Sequence, residues 1–460
     1  MIKITIPSNN LKERQYIIDI LLNEFLGLEF QLVYGNSSTE FKHWSLELEN
    51  GNKIIFEDHF FSEYPKDLEY LDLNHIPKSI HYIKNDFISE EDLPVIFGNS
   101  LFNISENNDA RVFTCGVDIF ASSFFMLSRW EEYVNKNRDT HGRFLASDSL
   151  AFNHGFLDRP IVNEYVILLR NLLLELGHVQ KFKSRKYQML LTHDVDHILK
   201  WDSLIKFSKH LIGDLVIRRS IKEFFASISY FIKVRLKLKN DPYETFDDLM
   251  TLSESAGVKS YFFFMGKGKT SFDNNYRSDS KVVFNLIKNI KKRNHFIGIH
   301  PTYDAYDSFK QFEAEKSELE QSLLTNIHFG REHYLRFEVP DTWQIWDDNN
   351  MTWDSTMGYA DKEGFRCGVC FEYSVFNILT RQHLELKERP LIVMDVCVID
   401  KGNLSPEKAS KNILNLIVKI KKYEGDFVLL WHNSSFNTFL WDKYQNVYLD
   451  AVYAGTEDKG

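Results

Sequence analysis

Cysteine and long apolar runs are scarce in this chain. It has 4 cysteines in 460 residues, too few for the disulfide framework typical of small secreted domains. No window approaches the roughly 18 uninterrupted apolar residues of a transmembrane helix. The first residues, MIKITIPSNNLKER, lack the apolar run and the cleavage site of a secretory signal. We therefore expect a cytoplasmic protein without a transmembrane segment.

An excess of positive charge is also missing. The net charge is −10, and no strong basic block is available to neutralise a phosphate backbone, so nucleic acid is not an expected partner. One local stretch is basic, because Lys233, Arg235, Lys237 and Lys239 alternate with apolar residues. Such a stretch is either a solvated face or a surface that touches an anionic membrane or a phosphorylated substrate carrier.

The composition is otherwise that of a globular protein, with 43% hydrophobic and 26% charged residues. A chain of this length exceeds one ordinary core, which favours two domains. The polar and basic stretch HVQKFKSRKY, between two apolar stretches, indicates a boundary. We therefore predict one domain over residues 1–185 and a second over residues 186–460.

The first domain has mixed patterns. Residues 44–48 and 53–56 are strand-like and are joined by an Asn50-Gly51 turn of the hairpin type. Residues 119–133 and 161–176 have helical patterns. We predict a smaller α+β domain.

Short apolar strands alternate with helices in the second domain. This alternation indicates an α/β fold with a mostly parallel sheet, open or closed into a barrel. Residues 198–243 depart from the alternation and are predicted to form a mainly helical insertion. The predicted strands are 188–192, 259–265, 295–300, 334–337, 391–398 and 426–431, and the predicted helices include 245–255, 281–292, 308–324 and 406–423.

Several of these strands run directly into polar residues, in LLTHDVDH, FIGIHPTYD, LRFEVPD and VLLWHNS. Active sites of parallel α/β folds gather at the carboxyl ends of strands. Asp194 and Asp196 are two residues apart, so in an extended segment both side chains face the same way. One carboxylate would then bind a metal while the other acts as a base, unless the segment is an ordinary acidic loop.

Two histidines follow other strands. His300 ends one strand, and Asp304 lies four residues later, a spacing that lets both bind one ion if the segment turns helically. His432 follows a late apolar run, and its ordinary pKa near 6.5 suits a general acid. Each histidine, taken alone, is equally compatible with a structural role.

These motifs, in this order, resemble those of the polysaccharide deacetylase family (NodB homology, carbohydrate esterase 4) over roughly residues 186–460. LTHDVDH looks like the first motif of the family, GIHPTYD the second and LLWHNS the last. The resemblance implies a distorted (β/α) barrel. The preceding region, including DIFASSFFMLSRWEEY, HGRF and LDRPIVNEY, resembles an uncharacterised N-terminal domain of a bacterial subgroup of such proteins.

The resemblance also implies roles for individual residues. Asp194 would be the catalytic base, steadied by Arg336, and His432 would be the acid. Asp196 and His300 would bind a divalent metal, zinc first and other divalent ions as alternatives. The candidate substrate-binding residues are Tyr303, Trp343 and Asn433.

One position departs from the family pattern, which has a second histidine four residues after the first. This chain has Asp304 there. A carboxylate in place of an imidazole adds negative charge and makes the site more favourable for harder metal ions. Asp304 is therefore the predicted third metal ligand, with His193 or His197 as alternative sources of the missing nitrogen. Cys367 and Cys370 form a lone CxxC spacing without a second pair, and we interpret them as ordinary thiols.

The function implied by the resemblance is metal-dependent removal of an N-acetyl group from an amino sugar in a cell-surface glycan or its precursor. With no export signal, we expect a lipid- or nucleotide-linked precursor. The alternative is a catalytically silent carbohydrate-binding or assembly protein, which the altered second motif favours. A different C–N hydrolase on the same scaffold is a third hypothesis.

Overall fold

The computed structural model describes residues 1–35, 42–107, 110–216, 219–273, 276–398, 404–438 and 441–457. The chain forms two compact units. Unit 1 comprises Met1–Gln188, Leu335–Ile392 and Lys419–Asp426, and unit 2 comprises Met189–Tyr334, Val393–Val418 and Phe427–Gly460. The first border lies close to the predicted boundary at residue 185, whereas residues 335–392 and 419–426, expected in the second domain, group with unit 1.

Strands and helices are both abundant, which confirms the predicted mixed α/β class. The strands are β1 Ile2–Ile6, β2 Phe30–Tyr34, β3 His43–Glu47, β4 Lys53–Glu57, β5 His81–Ile83, β6 Leu93–Val95, β7 Gly98–Asn107, β8 Ala110–Val117, β9 Gln188–Val195, β10 Ser260–Phe264, β11 Phe296–Ile299, β12 Phe329–Gly330, β13 Trp353–Asp354, β14 Tyr373–Asn377, β15 Gln382–Glu388, β16 Val393–Met394 and β17 Asp426–Leu430. The α-helices are α1 Leu11–Ile18, α2 Phe60–Glu63, α3 Ile119–Ser128, α4 Trp130–Val134, α5 Leu150–Asn153, α6 Ile161–Glu175, α7 Leu204–Val216, α8 Ile221–Arg235, α9 Phe246–Ser255, α10 Lys281–Lys292, α11 Phe309–Leu323, α12 Asp341–Asp348, α13 Pro406–Lys422 and α14 Gln445–Thr456. Within these described segments, no helix combines the length and apolar character needed to cross a bilayer.

Unit 1 contains a six-stranded sheet with the order β2-β1-β3-β4-β8-β7. The predicted hairpin is present, since β3 and β4 pair antiparallel. Gly51 at the turn has φ 83°, a left-handed conformation that glycine adopts without strain. On β3 and β4 buried and partly exposed residues alternate, the pattern of a sheet with one face on the core.

The helix predicted over residues 119–133 is divided in two. Arg129, between α3 and α4, has φ 53°, which interrupts the regular helix. The guanidinium of Arg129 is fully buried, and its Nε donates to Glu132 Oε1 at 2.9 Å. Arg366 holds the same carboxylate with two bonds, from Nε to Oε1 at 2.9 Å and from Nη2 to Oε2 at 2.6 Å. We call Arg129, Glu132 and Arg366 the unit 1 ion cluster.

The strands of unit 2 follow the order β12-β11-β10-β9-β17-β16. The pairs β10–β11, β9–β10, β11–β12 and β16–β17 are all parallel. In β9 every residue after Gln188 is buried, as expected for a parallel strand covered on both faces. The parallel sheet agrees with the prediction, and closure into a barrel stays a prediction.

The strand predicted over residues 334–337 is absent. The strand of this region is β12, and it is followed by a 3₁₀ turn at His333–Leu335. Tyr334 and Leu335 have φ values of 62° and 56°, and left-handed residues do not continue a strand. The prediction was wrong because β12 has only two residues and leaves no alternating pattern to read.

The insertion predicted over about 198–243 contains α7 and α8. The two helices pack on each other through Phe207 and Phe231, whose rings stack with centroids 3.8 Å apart. Trp201 meets both rings edge-on, at 5.6 and 5.8 Å. The insertion begins just after β9, so it lies next to the strand ends that carry the candidate site residues.

Candidate metal centre and active site

The carboxyl end of β9 carries two carboxylates. Asp194 lies on the strand and Asp196 immediately follows it. Both approach the same imidazole nitrogen, because His300 Nε2 is 3.9 Å from Asp194 Oδ2 and 3.4 Å from Asp196 Oδ1. The i, i+2 spacing therefore turns both carboxylates toward one place, as the extended geometry predicts.

Three side chains could hold a metal ion. Ligand atoms of Asp196, His300 and His333 all lie within 4.8 Å of one another. His333 Nε2 is 3.6 Å from Asp196 Oδ1, and the two imidazole rings are 4.9 Å apart. The three groups come from the end of β9, the end of β11 and the turn after β12, which belong to the same parallel sheet. We call these three residues the metal group.

The other nitrogen of each imidazole is already held. His300 Nδ1 lies 2.7 Å from the backbone oxygen of Arg331, and His333 Nδ1 lies 3.3 Å from Asp273 Oδ1. A hydrogen bond at Nδ1 leaves the lone pair on Nε2, which is the arrangement of metal-binding histidines. Both Nε2 atoms therefore face Asp196 with a lone pair that could bind a metal ion.

The charge state and the hydrogen bonding of Asp196 also fit a metal ion. Its Oδ1 atom is buried and has no hydrogen-bond partner among the described residues, a costly arrangement unless something else satisfies that oxygen. Burial alone would raise the pKa of Asp196, but His300, His333 and His432 outweigh it and hold the pKa below its ordinary value. Two imidazoles and one carboxylate suit zinc and also allow other divalent ions.

Two glycines allow the strands that carry these groups to come close. A Cβ atom on Gly330 would lie 1.9 Å from the carbonyl oxygen of Ile299, and one on Gly298 would lie 2.6 Å from that of Phe329. Because β11 and β12 meet this closely, the amide of Arg331 donates to Ile299 O at 3.1 Å. The contact between His300 and the Arg331 carbonyl depends on this approach.

Asp194 is held by a buried arginine. Arg331 Nη1 donates to Asp194 Oδ1 at 2.9 Å and to Thr192 Oγ1 at 3.0 Å. The family resemblance implied this role for Arg336, whose Nε instead donates to the backbone oxygen of His141 at 2.9 Å. We therefore correct the assignment and give the contact with the candidate base to Arg331.

His432 forms a pair with Asp395, a carboxylate that no sequence motif singled out. His432 Nδ1 lies 2.8 Å from Asp395 Oδ1, and its backbone amide donates to Asp395 Oδ2 at 2.8 Å. The other nitrogen, Nε2, is 3.8 Å from Asp196 Oδ2. Burial alone would lower the pKa of His432, but Asp395, Asp196 and Asp194 outweigh it and raise the pKa to about 10. The contact with Asp395 therefore favours the protonated form of this imidazole.

The third predicted ligand, Asp304, is not part of the metal group in the described structure. Its side chain is exposed, whereas His300 is buried. The residues after His300 form turns and not a helix, so the i, i+4 spacing does not bring the two side chains to one point. The second imidazole comes from His333 instead.

The three predicted substrate-binding residues have different surroundings. Tyr303 is mostly buried and stacks on Phe272 with ring centroids 4.4 Å apart. Trp343 is fully buried in unit 1, where its Nε1 donates to Glu388 Oε2 at 3.0 Å. This ring has no face left to offer a sugar, which corrects the prediction for Trp343.

Asn433 is also buried. Its Nδ2 donates to the backbone oxygens of His197, at 2.7 Å, and Tyr243, at 2.9 Å. The side-chain nitrogen therefore ties the loop after β9 to the segment before α9. Both N–H groups are thereby used, whereas Oδ1 is buried without a hydrogen-bond partner among the described residues. The substrate role of Asn433 stays a prediction that rests on this acceptor.

The alternative histidines do not join the metal group. His193 points to the other side of β9, with Nδ1 2.7 Å from Trp431 O and Nε2 3.3 Å from Ser260 Oγ. Burial lowers the pKa of His193 to about 4, so it is a neutral structural residue. His197 is exposed and lies against Tyr243. Cys367 and Cys370 are free and buried, in keeping with ordinary thiols.

A cavity of about 250 Å³ opens beside the metal group. Asp196 lies at one side, Tyr276 and Val283 contribute apolar walls, and Arg277 and the ion pair of Lys206 with Asp202 also line the cavity. The cavity gives a small ligand a route to Asp196.

Sequence comparison matches only the first part of the chain. Residues 2–178 match a family described as "Family of unknown function (DUF7033)". No curated protein matches the chain. The matched region lies in unit 1 and contains none of the metal-group residues.

Structural comparison finds polysaccharide deacetylases at low similarity. A protein described as a putative polysaccharide deacetylase from Mycobacterium smegmatis has 13% identity, with 61% of this chain and 87% of that chain covered and a TM-score of 0.38. A CE4 family pseudoenzyme from Bacillus anthracis has 12% identity, 60% and 62% coverage and a TM-score of 0.28. Similarity at this level carries no conclusion about activity, which has to rest on the site itself.

Proposed function

We propose that this protein is a metal-dependent hydrolase that removes an N-acetyl group from an amino sugar in a cell-surface glycan or its precursor. One observation carries the proposal: Asp196, His300 and His333 converge on one point, with Asp194 and His432 on its flanks. We extend the family resemblance of residues 186–460 to membership of the polysaccharide deacetylases. Zinc is the first candidate metal, and other divalent ions are alternatives.

The chain's own residues divide the work of amide hydrolysis. A divalent ion held by Asp196, His300 and His333 would supply Lewis acidity at the acetamido carbonyl. Asp194 takes the proton of the attacking water, and Arg331, whose Nη1 is 2.9 Å from Asp194 Oδ1, orients this carboxylate. His432, held by Asp395, donates a proton to the nitrogen as the C–N bond breaks. The products are acetate and a free amino sugar.

The metal ligands also bear on the alternative of a silent binding protein. That alternative was favoured by Asp304 in the place of a histidine. Because His333 supplies a second imidazole, the donor set keeps two nitrogens and one carboxylate. The catalytic hypothesis is therefore preferred, and the binding protein remains an outcome that the following experiment separates.

The test is metal content and activity of four proteins purified without chelator and reloaded with zinc, manganese or cobalt. We expect about one ion per chain in the wild type and in Asp304→Asn, and loss of the ion in His333→Ala and in His300→Ala. Each protein is then offered N-acetylated sugars in free, nucleotide-linked and lipid-linked form. We expect release of acetate from the proteins that retain the ion and no release from those that lose it. Asp304→Asn is the matched control, since it removes the carboxylate that the sequence alone favoured.

Two results would contradict the proposal in different ways. Metal binding that is lost in Asp304→Asn but kept in His333→Ala would return the ligand role to Asp304. A metal-loaded wild type that releases no acetate from any substrate, yet binds sugars, would support the silent binding protein.

A further inference from the structure

The helical hairpin formed by α7 and α8 leaves an unusual number of apolar side chains exposed. α7 has one buried residue, Asp214, and α8 has none. Of the 29 large hydrophobic residues exposed in the described structure, ten lie in this hairpin and the few residues after it. These ten, which we call the hairpin apolar surface, are Leu204, Ile205, Ile212, Leu215, Val216, Ile221, Phe225, Ile232, Leu236 and Leu238. Contiguous apolar surface on this scale usually marks an interaction site.

The exposed residues fall on one stripe of each helix. At roughly 100° per residue, the five exposed apolar residues of α7 lie within an arc of about 120°. On α8, Ile221, Phe225 and Ile232 lie within about 40° of one another, with exposed fractions of 68%, 64% and 50%. The inward sides are already used, because Phe207 stacks on Phe231. The stripes are therefore separate from the hairpin's own small core.

The charge of the hairpin is opposite to that of the whole chain. Residues 204–240 contain nine Lys and Arg against two Asp and Glu, in a protein of net charge −10. Lys222 and Lys233 are exposed beside the stripe of α8, and Lys209 is exposed beside that of α7. One of the two acids, Asp214, is buried and accepts a hydrogen bond from Ser227 Oγ at 2.9 Å. The exposed surface is thus apolar and cationic together.

We propose that the α7–α8 hairpin docks on an anionic lipid bilayer. The apolar stripes would lie in the headgroup and upper acyl region, while the lysines and arginines contact lipid phosphates, as in interfacial amphipathic helices. Charge argues against a second copy of this chain as the occupant, since two such cationic surfaces repel each other. A bilayer with anionic headgroups is complementary to both features.

This docking would bring the candidate active site to the membrane surface. α7 begins shortly after Asp196, and Lys206 on α7 lines the same cavity as Asp196. The substrate class that follows is an N-acetylated sugar attached to a lipid carrier, a step that rests on the proposed function. The docking itself does not depend on catalysis.

The test is flotation of the full chain with vesicles of phosphatidylcholine alone or mixed equally with phosphatidylglycerol. We expect binding to the anionic vesicles, weakening as salt is raised. Lys233→Gln/Arg235→Gln/Lys237→Gln should weaken binding by about a hundred-fold, from about fivefold per charge. Phe225→Ser/Ile232→Ser should weaken it by at least about tenfold.

Matched controls remove the same chemistry elsewhere. Val179→Ser/Val418→Ser alters residues that are 83% and 64% exposed outside the hairpin, and Lys288→Gln/Lys292→Gln alters exposed lysines of α10. Both should bind vesicles like the wild type. His333→Ala should also bind, which separates docking from metal chemistry.

Three results would overturn the docking proposal. The wild type could fail to bind anionic vesicles, or the hairpin variants could bind as well as the controls. A wild-type dimer that the hairpin variants convert to a monomer, without vesicle binding, would assign the surface to a second copy. Vesicle binding without hydrolysis of any substrate would overturn only the proposed function.

Discussion

Each unit of this protein buries a cluster of charged side chains, and the carboxylates of the two clusters differ in their hydrogen bonding. In the unit 1 ion cluster, both oxygens of Glu132 accept hydrogen bonds, three in all, from Arg129 and Arg366. In the metal group of unit 2, Asp196 Oδ1 is buried without a hydrogen-bond partner among the described residues, and two imidazole nitrogens face it at 3.4 and 3.6 Å.

The difference separates a structural cluster from a binding site. A buried carboxylate whose two oxygens both accept hydrogen bonds has no free acceptor for a ligand. Its interactions contribute to the stability of the fold. A buried carboxylate with an unpaired oxygen, beside nitrogens with free lone pairs, costs stability unless a ligand completes it. Each cluster has one buried side-chain atom without a hydrogen-bond partner among the described residues, Arg129 Nη1 in unit 1 and Asp196 Oδ1 in unit 2. Only the second is an acceptor oxygen that can bind a metal ion, and this distinguishes the two clusters.

The largest expected effect is on catalysis by unit 2. Asp194→Asn removes the proposed base but leaves Asp196, His300 and His333 in place. We expect kcat/KM for acetate release to fall by about 1000-fold or more, close to 4 kcal/mol, with metal content unchanged. Steady-state kinetics and metal analysis of the same preparation measure both. Activity within a few-fold of wild type would remove Asp194 from the mechanism.

The next effect is on the stability of unit 1. Glu132→Gln leaves two buried guanidinium groups without their shared carboxylate, and we expect a loss of about 3–5 kcal/mol in the free energy of unfolding. Asp196→Asn in metal-free protein should cost less than Glu132→Gln, because it removes charge contacts with His300 and His333 at 3.4 and 3.6 Å but no hydrogen bond at Oδ1. Urea unfolding of both variants makes the comparison, and equal losses would contradict the distinction between the clusters.

The pH dependence of the stability of unit 1 should also reveal the ion pairing of Glu132 with Arg129 and Arg366. Burial alone would raise the pKa of Glu132, but Arg366 and Arg129 outweigh it and lower the pKa from 4.5 to about 2. Because the folded-state pKa is depressed, this stabilisation is present above about pH 4.5 and is lost as pH falls toward 2. It amounts to about 3 kcal/mol. The stability gap between wild type and Glu132→Gln should therefore narrow between pH 6 and pH 3, and a constant gap would show that the gap does not come from ionisation of Glu132.

The smallest expected effect concerns Arg336. Arg336→Gln removes a hydrogen bond to the backbone oxygen of His141, so we expect a loss of about 1 kcal/mol in stability and activity within about twofold of wild type. Arg331→Gln, in contrast, removes the cation beside Asp194 and should lower kcat. The reverse result would return the supporting role to Arg336.

Those parts of the site that lie at the ends of regular strands could be predicted from the sequence. Asp194 and Asp196 lie at the end of a strand that begins with the apolar residues 189–191, and His300 ends another, so a local pattern marks all three residues. His333 and Arg331 were missed because β12 has only two residues and the turn after it contains left-handed residues. The signal that could have found them is the short run GREHY, with Arg331 and His333 two residues apart.

Exposure could not be predicted for aromatic and amide side chains. Trp343 has an aromatic ring of the kind that stacks on sugars, yet it lies in the interior of unit 1. Its indole Nε1 donates a hydrogen bond to Glu388 Oε2. Asn433 has the chemistry of a substrate ligand, yet its amide nitrogen holds two backbone oxygens. The chemistry of a side chain does not reveal whether it is exposed to a ligand or already hydrogen-bonded within the protein.

By itself, the sequence determined the α/β class of the second part and the strand ends that carry Asp194, Asp196, His300 and His432. It did so because the alternation of short apolar strands with helices, and the polar residues at the strand ends, are patterns that can be read locally along the chain. Only the tertiary structure decided that His333 and not Asp304 joins the metal group, that Arg331 holds Asp194, and that Asp395 holds His432. These choices depend on contacts between residues distant along the chain. For His333 and Arg331, the close packing of β11 on β12 at Gly298 and Gly330 brings the two strands together.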